Sequence, residues 1–458
     1  MMKKLQIFLM LSLTFVTAAN AQTYPTTFWA DTADVSWYNA AQDEFTLSTP
    51  EALAGVSQLV ANGNTFDGKT IIIGADINLD GHLWTPIGAY PALFSGDVVG
   101  NDSIISNLWI NNPSSDFVGL FGYTSNASFV NIHINTANIK GFDSTGTLVA
   151  NLFDNGSVTN CSAINISVTG NNNTGGLVGG FLTNSSITKS HAIGDVVGVV
   201  QVGGVAGSGW NNIVMTECYS EGTVTANVLA GGLVGAFPFA FTGQSTIDNC
   251  YSRSSIVASS ERAGGITGGA DNALIVKNSY ATGTVSAPNY AGAIIGFWGS
   301  INMENMYFDT ESSGMTEGVG GFGGAPVTPD VTGKTTAEMK SVAMADLLNA
   351  SSTDGPWSIN ASNNDGYPIL NYILAVQSNM LDAASVKIYP TVFDSEFTIS
   401  STLDLDSYKI YSLSGALVFS GKLDGKTTTV LAANLSTGNY ILTIHSAKGV
   451  ASKRIIKK

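Results

Sequence analysis

The sequence predicts an all-β protein: a parallel β-solenoid of about seven ~28-residue repeats with helical and loop caps, then a small C-terminal β-sandwich. Two short motifs that return on one period, and a composition suited to strands and tight turns, support this. The first motif is a Gly-rich apolar box: VGLFG at 118–122, GTLVA at 146–150, GGLVG at 175–179, GGVAG at 203–207, GGLVG at 231–235, GGITG at 264–268 and GAIIG at 292–296. Its central residues are Leu120, Leu148, Leu177, Val205, Leu233, Ile266 and Ile294, at steps of 28, 29, 28, 28, 33 and 28 residues. The second motif reads VTNCSA, ITKSHA, MTECYS, IDNCYS, VKNSYA and MENMYF, with Cys161, Ser190, Cys218, Cys250, Ser279 and Met306 in its fourth place. A weaker third run, such as GTVTA at 222–226, follows it. The chain has 51 Gly and only 12% charged residues, with abundant Ser, Thr and Asn. Such residues are poor helix formers but permit sharp corners.

A single short repeat cannot bury its own apolar face, whereas stacked copies build a continuous core. Each repeat holds about three short β-rich runs, which leaves no room for a helix and excludes helical and leucine-rich solenoids. The aliphatic centres of the Gly boxes should form a ladder inside the rod. The flanking glycines should allow corners and close approach of neighbouring coils.

Flanking segments read as caps. Residues 1–21 have the form of a secretory signal peptide: Lys3 and Lys4, an apolar run from Leu5 to Val16, then Ala19-Asn20-Ala21. The apolar run is too short to span a membrane, and the mature chain is expected to begin at Gln22. Residues 22–100 read as an N-terminal cap, with an amphipathic helix over 45–63 started by Ser48 and Glu51. The repeats occupy 101–310. A C-terminal cap over 311–375 carries a Gly-rich loop at 314–326 and a helix over 335–350, and residues 376–385 form a linker.

Charge marks the last boundary. From Val386 onward there are nine Lys or Arg against five Asp or Glu, whereas the full chain carries a net charge of −15. Acidic bodies of this kind do not attract nucleic acid. The tail over 386–458 alternates apolar and polar residues between Gly turns, as a sandwich of about seven short strands would.

Two resemblances follow from these motifs. The Gly boxes resemble the GLUG repeat, found on bacterial surface and secreted proteins often called adhesin-like and in certain immunoglobulin-cleaving peptidases outside the catalytic domain. The tail resembles the C-terminal sorting domain of the type IX secretion system. The matching residues are Tyr389-Pro390, the turn from Tyr411 to Gly415, Leu435 to Ile444 around Gly438 and Tyr440, and Lys453 through Lys457 and Lys458. Thr391 and Val392 depart from the Asn-Pro common at that place. The resemblance implies passage across the outer membrane by the type IX machinery, removal of the tail, and attachment to surface lipopolysaccharide or release. Asp31-Thr32-Ala33, Asp102-Ser103-Ile104 and Asp143-Ser144-Thr145 further resemble the glycosylation acceptor pattern of such bacteria.

Candidate chemistry is sparse. Asp76, Asn78, Asp80 and Gly81 open like a calcium loop, but Ile87 stands where the closing Glu belongs. His82, His133, His191 and His445 show no ligand spacing, and no nucleophile elbow or phosphate loop is present. No cofactor or metal is expected. The basic residues of 110–310 are Lys140, Lys189, Arg253, Arg262 and Lys277, and no acidic pair repeats around them as a polysaccharide-degrading β-helix would need. The expectation is therefore a secreted or surface-displayed, non-enzymatic, adhesin-like rod that binds glycans or proteins, against a structural coat or, less favoured, such an enzyme. Its suggested ligand-facing column is Tyr219, Tyr251, Tyr280 and Tyr307, although the same rings would serve as core.

Overall fold

The computed structural model describes residues 24–238, 243–270, 274–299, 301–323, 329–352, 355–373, 386–412, 417–446 and 449–458. The signal-peptide reading, the linker and Gly415 lie outside them. Among the described residues, no helix is long and apolar enough to cross a membrane.

The body is a parallel β-solenoid. One face is a column beginning with Glu44–Leu47, Thr70–Ile73 and Asp97–Val99, running through Ser128–Val130, Ser157–Thr159, Ser186–Thr188, Val214–Thr216 and Ser245–Asp248, and ending in Leu274–Ala281 and Ile301–Asp309. Each strand pairs in parallel with the next, which gives about ten turns where the Gly boxes predicted seven. The three additional turns come from the segment read as a cap. It lacks the Gly box, and the helix Pro50–Ala61 sits between its first two strands.

A typical coil has four sides. Ser186–Thr188 lies on the column just described, His191–Val197 on a flank, Val200–Gly203 on a five-stranded sheet and Ala206–Trp210 on a seven-stranded sheet. The central residues of the seven Gly boxes are all fully buried, as an internal ladder requires. Gly176 shows why the box needs glycine, since a Cβ there would stand 2.1 Å from the carbonyl oxygen of Gly204 in the next coil.

The Cys/Ser position explains itself through hydrogen bonds. Ser190 Oγ accepts from Cys161 N at 3.0 Å, Cys250 Sγ from Cys218 N at 3.3 Å, and Ser279 Oγ from Cys250 N at 2.9 Å. The same side chains donate to the carbonyl two residues earlier in their own coil. Any small side chain that both donates and accepts fills this buried slot, which is why Cys and Ser alternate there. All three cysteines are free thiols, and burial raises that of Cys161 to about 12.

The first helix is shorter than predicted. Residues 44–47 are a solenoid strand, and the Thr49 hydroxyl, in place of Ser48, accepts from Ala52 N at 3.2 Å to cap Pro50–Ala61. Pro50 at the first helical position places the boundary there. Leu53, Val56 and Val60 join the solenoid core. The predicted C-terminal helix is two, Thr336–Met339 and Val342–Leu348. The first has a capping box in which Thr335 and Glu338 bond reciprocally. Trp357–Ile359 and Pro368–Leu370 then pair as an antiparallel hairpin.

Among its described residues the tail has six strands where about seven were expected, hydrogen-bonded into one sheet. Glu396–Ser412 runs antiparallel to Leu417–Leu431 along most of its length, with register shifts after Ser400, Leu405 and Ile410. Phe397, Ile399 and Ile410 of the first strand and Leu423 and Val430 of the second share one core, which Leu442 and Ile455 of the last two strands complete.

Candidate functional site

The flank is the side on which the predicted residues meet. His133, Ser162, His191, Tyr219, Tyr251, Tyr280 and Tyr307 occupy one register position of successive coils. From His191 to Tyr280 the rings stack face to face, with centroids 4.3, 4.8 and 5.1 Å apart and planes within 10°.

This column does not face solvent. Tyr219, Tyr251, Tyr280 and Tyr307 are buried against Met339, Met344, Leu348, Trp357, Tyr367 and Leu370 of the C-terminal cap. The cap is bonded in place polar group by polar group. Trp357 Nε1 donates to Asn249 Oδ1 at 3.1 Å, Tyr280 Oη to the Pro368 carbonyl at 2.6 Å, and Tyr367 Oη to Asp309 Oδ2 at 2.7 Å. Asp365 holds both Arg253 and Lys340 within 3.7 Å. A segment expected to close the end of the rod is laid along its flank, so the tyrosines contact this chain's own cap.

Burial sets the ionisation of the column. It raises the phenols of Tyr219, Tyr251 and Tyr280 and lowers the imidazole of His191 to about 3, so that ring is neutral in ordinary conditions. Further up, Ser162 Oγ lies 2.9 Å from His133 Nδ1, and Asp102 Oδ1 lies 3.7 Å from His133 Nε2. These are the residue types of an acyl-transfer triad, but the carboxylate is beyond hydrogen-bond range and Ser162 is only 4% exposed.

Among the described residues, the flank between this cap and the N-terminal segment exposes Asn165, Ser167, Asp195 and Thr223. Tyr24 packs edge-on against Trp109 at 5.7 Å and hydrogen-bonds Asn138. Beside them is a recess of about 210 Å³, whose lining includes Trp109, Thr136, Asn138, Asn165 and Ser167. From it an outward-facing polar row continues, since Asn138 pairs with Ser167, Ser167 with Asp195, and Asp195 with Thr223.

The remaining candidates have structural roles. Asp76 Oδ1 accepts from Ile104 N at 2.8 Å, while Asn78 Oδ1 accepts from Asp80 N and from Asn107. No group of three or more His, Cys, Asp or Glu suited to a metal occurs among the described residues. Of the three acceptor-like hydroxyl residues, Ser103 and Ser144 are buried and Thr32 is exposed.

In the tail, Tyr389 is exposed at the end of a strand, while Tyr440 is buried with its hydroxyl donating to the Ser436 carbonyl at 2.7 Å. Gly438 opens the strand Gly438–Ser446 and pairs with Lys457 in Gly449–Lys457. That last strand also pairs in parallel with Val392–Phe393, and Lys458 N donates to the Phe393 carbonyl. Residues 387–458 match the family described as Secretion system C-terminal sorting domain. The tail is a sorting domain. It implies export by the type IX machinery, to the cell surface or the medium.

No curated protein matches this chain. A solved structure described as that of "a putative immunoglobulin A1 protease from Bacteroides ovatus" is similar over 77% of this chain and 99% of its own, at 20% identity and a TM-score of 0.43. The expectation of a chain without enzymatic activity is corrected by that description. A likeness at this level assigns no reaction here.

Proposed function

We propose that the sorting domain delivers the solenoid across the outer membrane, where the rod is displayed or released and binds extracellular ligands, glycan or protein. The observation that carries this reading is an export address at 387–458 on a rod whose flank, among the described residues, exposes a row of polar side chains between two caps. The resemblance of the Gly boxes to the GLUG repeat of adhesin-like surface proteins supports it. Surface lipopolysaccharide is the proposed anchor of the displayed form.

The test is to fractionate the native host, probe for residues 24–373, and weigh each form. The expected result is a chain on the surface or in the medium that lacks about the last 70 residues. Full-length chain confined to the periplasm would overturn the export reading. A mature chain that saturates with no glycan or protein, and only self-associates, would overturn the binding reading.

A further inference from the structure

The flank strand changes length partway along the rod. Ile104–Asn111, His133–Lys140 and Ser162–Thr169 each use 8 residues over the stretch that His191–Val197 and its partner, residues 219–225, cover with 7. The additional residues are Asn107, Thr136 and Asn165, each in the left-handed region at φ of 58°, 67° and 57°. The pairing of Ser162–Thr169 with His191–Val197 skips Asn165, so Ile164 faces Ile193 and Ile166 faces Gly194. Three consecutive coils therefore carry the same bulge, and the recess lies at its edge. Bulges bend a strand and re-aim its side chains, and they occur beside binding sites.

Chemistry at the recess is neutral. It offers the half-buried indole of Trp109 beside Tyr24, the amides of Asn138 and Asn165, and the hydroxyls of Thr136 and Ser167. Among the described residues no charged side chain lines it, and Lys140 Nζ stands beside it, 5.2 Å from the centre of the Tyr24 ring. A protein interface would call for large anchors spread over a patch of about 800 Å² per partner, whereas beyond Trp109 and Tyr24 the exposed residues leading away, Ser167, Asp195 and Thr223, are short and polar. Nucleic acid would call for basic residues. An aromatic face with amides and hydroxyls suits a sugar ring, which presents an apolar face and a rim of hydroxyls. Successive coils repeat these polar groups about every 4.8 Å, close to the advance of one sugar unit in an extended chain.

We propose that the bulged stretch of the flank is a binding subsite for a neutral oligosaccharide. One sugar ring packs on Trp109 in the recess, and the chain continues along Ser167, Asp195 and Thr223. The proposal rests on the extracellular-binding reading above and gives it a site and a ligand class.

Titration calorimetry of the full chain with cello-, xylo-, manno- and chitohexaose tests it. At least one hexaose should saturate the protein at about 1 mM or below. Ser167→Arg, which places bulk at an exposed position, and Trp109→Ala should each weaken that binding tenfold or more. Val214→Arg, on another face, should leave it unchanged. Saturation by none of the four would overturn the proposal while leaving the export reading intact. Saturation that Ser167→Arg does not change would overturn the site and leave glycan binding standing.

Discussion

The backbone N–H of Cys218 donates to Cys250 Sγ one coil away, at 3.3 Å, and both residues are fully buried. The sulfur thereby answers a backbone group that the corner before Cys218 leaves without a strand partner. Cys250→Ser keeps the acceptor and should change stability by less than about 1 kcal/mol. Cys250→Ala leaves a buried donor unsatisfied and a void beside it, and should cost about 2–3 kcal/mol. Chemical denaturation of the three proteins distinguishes these outcomes, and equal losses for Ser and Ala would refute the role.

His191 heads the aromatic stack and is held neutral by burial, first of all, and then by repulsion from His133. Its folded pKa lies near 3 against an ordinary 6.5. The unfolded chain thus takes up the proton first as pH falls. Stability from this group is full above about 6.5 and is lost steadily toward about 3, by up to roughly 5 kcal/mol. His191→Tyr, which places there the residue its neighbouring coil uses, should flatten the melting temperature between pH 6.5 and 4. An unchanged slope in that variant would show that other groups carry the acid sensitivity.

Much of the body was legible because its signal is periodic. The Gly boxes from Leu120 to Ile294 place a ladder that is fully buried in the rod. The three earlier turns lack that box, and a helix interrupts them, so Phe45 and Leu47 read as helix although they alternate inward along a strand. The tyrosine column was legible as a column but not in its contacts. Nothing local in WSINASNNDGYPIL tells that Trp357 and Tyr367 fold back over Tyr251 and Tyr280, since the contact spans about a hundred residues of sequence. The bulge at Asn107, Thr136 and Asn165 left one trace, the single additional residue in the 29-residue step from Leu148 to Leu177.

Removing the central ring of the flank cap should loosen that cap without unwinding the rod. Trp357 lies 5.5 Å from Tyr280 and 6.0 Å from Tyr251, and its indole N–H is bonded to Asn249. Trp357→Ala should cost about 3–5 kcal/mol locally. Hydrogen exchange should then accelerate across 336–373 while the strands of the seven-stranded sheet stay protected. Val342→Ser, at a position 69% exposed, serves as the control. Uniform loss of protection over the whole solenoid would mean that cap and rod unfold as one unit.

The sorting domain closes on its own last strand. Ile455 is fully buried, and its neighbours Ile456 and Lys457 pair with Val392 and Phe393 on one side and with Asn439 and Gly438 on the other. Ile455→Ala should cost about 2–5 kcal/mol, a large share of the about 5–15 kcal/mol that a small domain holds in total, and should raise the unfolded fraction of the tail. Tyr389→Ser alters a side chain 52% exposed and should leave the fold intact. Immunoblots of periplasm, surface and medium should show Ile455→Ala shifted toward the periplasm. For Tyr389→Ser, wild-type partition would mean that the folded sheet itself is what the machinery reads. Retention of a folded Tyr389→Ser chain would instead place recognition on the exposed tyrosine edge.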